Sequence, residues 1–485
     1  MHLDFLASKE LGGRYTLAPN FAVAARYLAS HLKAYGFRGA APDSDFLQFF
    51  EVGTAKADAA KTSLSCTING QTSSYKLGDF LMPALGSDID VQAPVVFVGY
   101  GVSSPSQKYD DYSGVDVKGK IVLYAAGIPA GVDTSKVDDQ ERGEKAARAH
   151  GAIGVLVLPA ERMVNRFQRK DFKEQTAERE SVGLANDTAA QGIPFVMLGP
   201  DPAEKLLALM SRDVKTVNEI TRNHGRLTSQ ALEASVHLVI DLKKTKTVTQ
   251  NVVGILDGTD PELRKEYVVF SAHYDHLKTN EKGQIFPGAD DDGSGTTAVL
   301  AIAHAMSLNR PKRSVLVIFH AGEELGLLGS EYNTDIAPVV PLDKMVVDLN
   351  IDMIGRSKPA GDTNEKDEHL TDANTVYLVG SNRISEELHK LSEETNHDYQ
   401  KLNLNYYYND PANPERIYYR SDHWNYAKHG IPIIFYFDGV HADYHQPTDT
   451  VDKIDFAKLS NITKLVFETG WRIANLDHRL ANGKQ

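Results

Sequence analysis

His273, Asp291, Glu324, Asp352 and His445 are of the residue types that bind divalent metals. They fall in five separate segments, each where a strand-like run ends or a loop begins. Two imidazoles and three carboxylates form a donor set able to cage two divalent ions. A further acid, Glu323, stands directly before one of the donors. Hydrolysis by an activated water, with a carboxylate as base, is the chemistry such a set would carry.

Each segment also has a plainer reading. The apolar run from Val268 to Ala272 leads into His273-Tyr274-Asp275-His276. A neutral imidazole can bind zinc while a carboxylate two residues on holds its other N–H, but a surface histidine closing a strand reads equally well. Gly288-Ala289-Asp290-Asp291-Asp292-Gly293-Ser294-Gly295 places three acids before an apolar helical run. Acids cap helices, yet three in succession exceed what a cap needs and repel one another without a cation. Glu323 and Glu324 are adjacent, so one side chain can bind metal while the other faces a bound water; acid-rich helix starts are also common. Asp352 follows an aliphatic run from Val346, where an unpaired acid is seldom buried. His445 lies in a polar loop beside Tyr444 and on its own reads as a surface residue.

A scaffold must bring these residues together. Periodicity predicts strands at 251–256, 267–272, 314–320, 345–352, 375–380 and 432–437, and helices at 294–308, 323–333, 383–396 and 455–475. Buried strands alternating with helices indicate the α/β class: a doubly wound, mostly parallel sheet with helices on both faces. Ligand sites on such sheets lie beyond the carboxyl ends of the strands, where the candidate donors cluster. Residues 19–37 carry apolar positions at helical spacing, with Gly36 as a stop. Near Ala93 the texture changes to short apolar strands and glycine turns. Residues 90–235 are therefore expected to form a smaller inserted α/β module. Residues 1–89 and 236–485 would be the two parts of the main domain.

The bulk numbers narrow the remaining classes. Of 485 residues, 42% are hydrophobic and 24% charged, an ordinary globular composition. The formal net charge of -13 makes nucleic acid and anionic membranes poor partners. Cys66 is the single cysteine, which excludes an intrachain disulfide and cysteine-based zinc sites; it reads as a small core residue. No apolar run reaches the ~18–20 residues needed to span a bilayer. The start, Met1-His2-Leu3-Asp4-Phe5, has no basic or apolar signal region. That fits a cytoplasmic chain, or one that begins after a removed signal.

Taken together, the motifs resemble the co-catalytic di-zinc aminopeptidase family, whose relatives include glutamate carboxypeptidase, transferrin receptor and glutaminyl cyclase. The matching stretches, in order, are His273-Tyr274-Asp275, Gly288 to Gly295, Glu323 to Ser330, Asn350 to Gly355, Arg420-Ser421-Asp422-His423 and Tyr444 to Thr450. The resemblance covers most of the chain and implies two zinc ions per chain. His273 and Asp352 would hold one, Glu324 and His445 the other, and Asp291 would bridge both. Asp275 would orient His273. Glu323 would act as general base through a hydroxide shared by the metals, Tyr444 would stabilise the oxyanion, and Arg420 would contact the peptide substrate. Manganese or cobalt would suit the same donors. Tyr418, Tyr419 and Trp424 are further candidates for the substrate pocket, with ordinary packing as the alternative. Residues 90–235 look like the protease-associated domain that some members carry, matched at Tyr109-Asp110-Asp111-Tyr112. Members built this way are often exported, so an extracytoplasmic location is expected. A carboxypeptidase or dipeptidase of the same fold, a one-zinc cyclase and a non-catalytic receptor-like binding protein are the alternatives. The presence of all five donors and Glu323 speaks against the last.

Overall fold

The computed structural model describes residues 1–82, 87–133, 136–185 and 192–483. The chain divides into two compact units: Met1–Val52 with Thr247–Gln485, and Gly53–Lys246.

The first unit holds all the candidate donors. Its elements include α1 (Phe21–Ala34), β1 (Leu242–Leu256, which enters this unit at Thr247), β2 (Tyr267–His273), α2 (Gly293–Leu308), β3 (Ser314–His320), β4 (Met345–Ile351), β5 (Thr375–Val379), α3 (Glu386–Asp398), β6 (Ile433–Phe437) and α4 (Phe456–Asn475). These strands lie in the order β1-β3-β2-β4-β6-β5. Strands β3, β2, β4 and β6 pair in parallel, and the flanking β1–β3 and β6–β5 pairs are antiparallel. Every residue of β3 and β4 is buried, as a parallel strand covered on both faces requires.

The two faces are covered differently. Phe270 and Leu349 turn towards α4, where Gly470 lets the helix approach so closely that any side chain there would strike the Phe270 ring. Glycine in a helix interior costs about 0.5–1 kcal/mol, which closer packing offsets here. Ser271 and Asn350 turn the other way: the Ser271 hydroxyl donates to Asp348 (2.7 Å), and the Asn350 amide to Ser421 (3.0 Å). Ser421 leads into the helix His423–Ala427, whose first residue stacks on Phe435.

One expected helix is shorter than its pattern. No helix runs from residue 323: Gly322, Gly326 and Leu327 have left-handed φ angles of 74°, 109° and 63°, and the helix begins only at Leu328. Left-handed residues cannot continue a right-handed helix. As a result both glutamates stay in the turn after β3.

The second unit is built on its own sheet. The strand order is Gln71–Lys76, Ser63–Ile68, Gln230–Ile240, Ile89–Phe97, Ile121–Ala125, Gly154–Leu158, Phe195–Leu198 and Phe80–Leu81. The expected boundaries at 89/90 and 235/236 are therefore corrected. Ser63–Ile68 pairs with Gln230–Ile240, Cys66 lying opposite Val236, so residues 53–89 and 236–246 belong to this unit. Alternating hydrophobicity marks a strand but does not name its partner, which here is some 170 residues away. Cys66 is buried in this unit's core, and burial pushes its thiol up to about 12, leaving it inert. Among the described residues, no helix is long and apolar enough to cross a membrane.

Candidate metal centre

The carboxyl ends of the parallel strands deliver the donors to one place. His273 is the last residue of β2, Asp352 follows β4 directly, and Glu324 lies in the turn after β3. His445 arrives on the loop after β6, and Asp291 on the loop entering α2.

The three consecutive acids separate into distinct jobs. Asp290 accepts the N–H of Gly355 (2.6 Å). Asp292 caps α2, accepting from Gly295 (2.8 Å) and from Met353 (3.2 Å). Asp291 between them turns its carboxylate into the cage, and the Asp291–Asp292 peptide bond is cis. Asp449 anchors the loop by accepting the main-chain N–H groups of Asp290 and Asp291 (3.0 and 3.2 Å).

Donor distances define two sets that share Asp291. Its Oδ1 lies 3.2 Å from His273 Nε2, which is 3.6 Å from Asp352 Oδ1. Its Oδ2 lies 3.2 Å from His445 Nε2, which is 3.0 Å from Glu324 Oε2. Donors around one tetrahedral zinc stand roughly 3.3 Å apart, given bonds near 2.0 Å. His273 Nε2, Asp291 Oδ2 and His445 Nε2 are all buried with no hydrogen-bond partner. Orphaned buried polar atoms are rare, and a cation is the group that would satisfy these. By proximity alone, His276 also groups with Asp291 and Glu324, and Asp292 with His273 and Asp352. Asp292 already spends one oxygen on its capping role.

Electrostatics point to the same need. Burial opposes charge on His445, yet the neighbouring Asp291 and Glu324 carboxylates push it up to about 10. His273, also opposed by burial, is raised well above the usual range by Glu323 and Asp352. Without a metal, the acids draw protons onto the imidazoles. Burial, reinforced by Asp352, Glu324 and Asp422, holds Glu323 well above the usual carboxylate range, although His273 pulls it down. An elevated carboxylate in a cleft is suited to general-base work.

The supporting residues are mostly distant in sequence. Arg14, 1% exposed, donates to the carbonyls of Leu6 (2.6 Å), Tyr274 (3.0 Å), Pro287 (2.6 Å) and Gly288 (2.8 Å), tying the loop after β2 to the acid loop. The expected His273–Asp275 pair takes a different form. The Asp275 carboxylate is 3.7 Å from His273 Nδ1, too long for a hydrogen bond, while the Asp275 carbonyl is 3.2 Å away and serves instead. The Asp275 carboxylate accepts from Thr16 (2.7 Å) and from the N–H of Glu323 (3.2 Å), so it fixes the turn carrying the glutamates.

Tyr444 stacks on the His445 ring at 3.9 Å. Burial, then Asp291 and Glu324, raise its phenol and keep the O–H protonated. His445 itself holds a left-handed φ of 56°, a strain of about 1–3 kcal/mol that persists at such sites when the surroundings enforce it. Arg420 and Tyr444 line a cavity with Asp291, Glu323 and Asp352, walled by Met353, Ile417, Phe435, Phe437 and Val440. Tyr418, Tyr419 and Trp424 are not in its lining. They pack on one another, and Tyr418 stacks under Arg383.

A buried histidine–carboxylate cage at the carboxyl ends of a mixed α/β sheet defines a metal-dependent class of protein. Residues 251–470 match the family model described as Peptidase family M28. An aminopeptidase of Pseudomonas aeruginosa (strain UCBPP-PA14) is 25% identical over 354 residues, covering 73% of this chain and 56% of the relative. The chain thus spans little more than half the length of that relative. A probable leucine aminopeptidase 2 of Aspergillus oryzae is 36% identical over 126 residues, 26% of this chain and 24% of the relative. The solved aminopeptidase from Aneurinibacillus sp. strain AM-1 shares the fold, with a TM-score of 0.54 at 19% identity, covering 100% of this chain and 95% of the other.

Proposed function

We propose that this chain is a two-zinc aminopeptidase that removes N-terminal residues from peptides. The observation that carries the reading is Asp291, whose two oxygens each lie 3.2 Å from a histidine of a different donor set, as a bridging carboxylate would. His273, Asp352 and Asp291 would hold one ion, and Glu324, His445 and Asp291 the other. When bound, paired zinc ions supply Lewis acidity, lowering the pKa of water and polarising a carbonyl. Glu323 takes the proton of the attacking water and returns it to the departing amine. The Tyr444 O–H donates to the developing oxyanion. Asp275 positions the glutamate turn, and Arg420 contacts the substrate beside the apolar wall. Relatives named as aminopeptidases support this substrate class.

We also read the inserted unit as a protease-associated domain. In its matching motif, the Asp111 carboxylate accepts the N–H groups of Tyr100 (3.0 Å) and Val102 (3.1 Å), fixing a turn.

The test compares leucyl peptides with their N-acetylated forms. Turnover of the free-amine peptide, with the acetylated one cleaved at least about a hundredfold less efficiently, is expected. A site built to pair a polar group rejects partners that cannot make that contact. Equal cleavage of both, or release of the C-terminal residue, would replace this reading with the carboxypeptidase one.

A further inference from the structure

His276 lies outside the donor set assigned above, yet it is fully buried against one member of that set. Its Nδ1 is 2.7 Å from Glu324 Oε1, with hydrogen-bond geometry, whereas Asp291 Oδ2 is 3.7 Å away and out of reach of such a bond. Its Nε2 has no partner. The ring is held from several sides. Its main-chain N–H donates to the Arg14 carbonyl (3.2 Å), and the His445 ring meets it edge-on, centroids 5.7 Å apart. Gly288 packs so close that a Cβ there would come within 2.6 Å of the imidazole carbons. The two oxygens of Glu324 therefore face different imidazoles: Oε1 meets His276, and Oε2 stands 3.0 Å from His445.

We infer that His276 is a positioning residue for Glu324. Its Nδ1–H holds Oε1 and presents Oε2 alone to the second ion, which limits this carboxylate to one-oxygen coordination. Partners of this kind orient ligating carboxylates and typically change metal affinity 10–100-fold when removed. The inference rests on the two-zinc reading above.

The test measures the affinity of each zinc equivalent on the intact chain by competition with a chromophoric chelator. His276→Ala is expected to weaken the second equivalent roughly 10–100-fold and leave the first unchanged, which also verifies the fold. His276→Asn keeps a side-chain N–H near the same place and is expected to restore affinity to within about threefold of wild type. Unchanged affinity in His276→Ala would overturn the inference. So would His276→Asn binding no better than His276→Ala, with the cobalt-substituted spectrum showing a lost nitrogen ligand; that result would make His276 a direct ligand. Wild-type protein that binds fewer than two zinc ions would instead overturn the functional reading on which the inference stands.

Discussion

Glu323→Gln is expected to lower kcat roughly a thousandfold while both zinc equivalents stay bound, because a positioned general base contributes about 10²–10⁴-fold. Glutamine keeps the size of the side chain and removes only its capacity to take a proton. The proposed division of roles has a geometric counterpart: Glu323 Oε2 is 4.0 Å from His273 Nε2, while neighbouring Glu324 sits 3.0 Å from His445. The turn after β3 creates that division. Left-handed Gly322, Gly326 and Leu327 keep both glutamates out of a helix and in the turn after β3. Steady-state kinetics with elemental analysis of the same sample decides it. Near wild-type kcat in the glutamine variant would remove Glu323 from its role, and loss of metal would make it a ligand.

Removing the metal is expected to lower the melting temperature of the peptidase unit by about 10 °C or more. An ion present at 1,000 times its Kd stabilises by about 4.1 kcal/mol, and domains of this size shift by roughly 2–4 °C per kcal/mol. The sign of the pH dependence follows from the imidazoles. In the metal-free protein, His445 is raised to about 10 by Asp291 and Glu324. Its contribution is fully present below the unfolded value near 6.5 and is lost as pH rises towards 10. Zinc binding runs the other way, since it needs the neutral imidazole. The melting gap between zinc-loaded and metal-free protein should therefore widen between pH 6.5 and 10. Calorimetry after exhaustive chelation tests this, and a gap that is absent or narrows with pH would contradict it.

Among the candidate donors, His273 and Asp352 were legible because each closes an apolar run whose period was readable, whereas His445, in a polar loop, entered only through the resemblance. The expected strand at 314–320 is the observed Ser314–His320, and the expected helix at 294–308 is Gly293–Leu308. Asp291 stood out because one cap cannot use three acids, and the structure gives Asp290 and Asp292 the structural jobs. Residues acting across long separations were less legible. Arg14 follows two glycines with nothing local to mark its role, and its four carbonyl partners include Pro287, 273 residues away. His276 stood in plain view next to Asp275, but nothing local marks a histidine as the partner of a glutamate 48 residues on. The unit boundary was misplaced for the same reason, since the partner of Ser63–Ile68 lies at Gln230–Ile240.

The central claim is that one buried carboxylate serves two ions. Native mass spectrometry of the zinc-loaded, peptide-cleaving protein counts ions per chain directly. Two zinc ions are predicted for the wild type, with Asp291→Asn losing tight binding of both. A fully active chain holding a single zinc, or an Asp291→Asn variant that keeps both, would contradict the account.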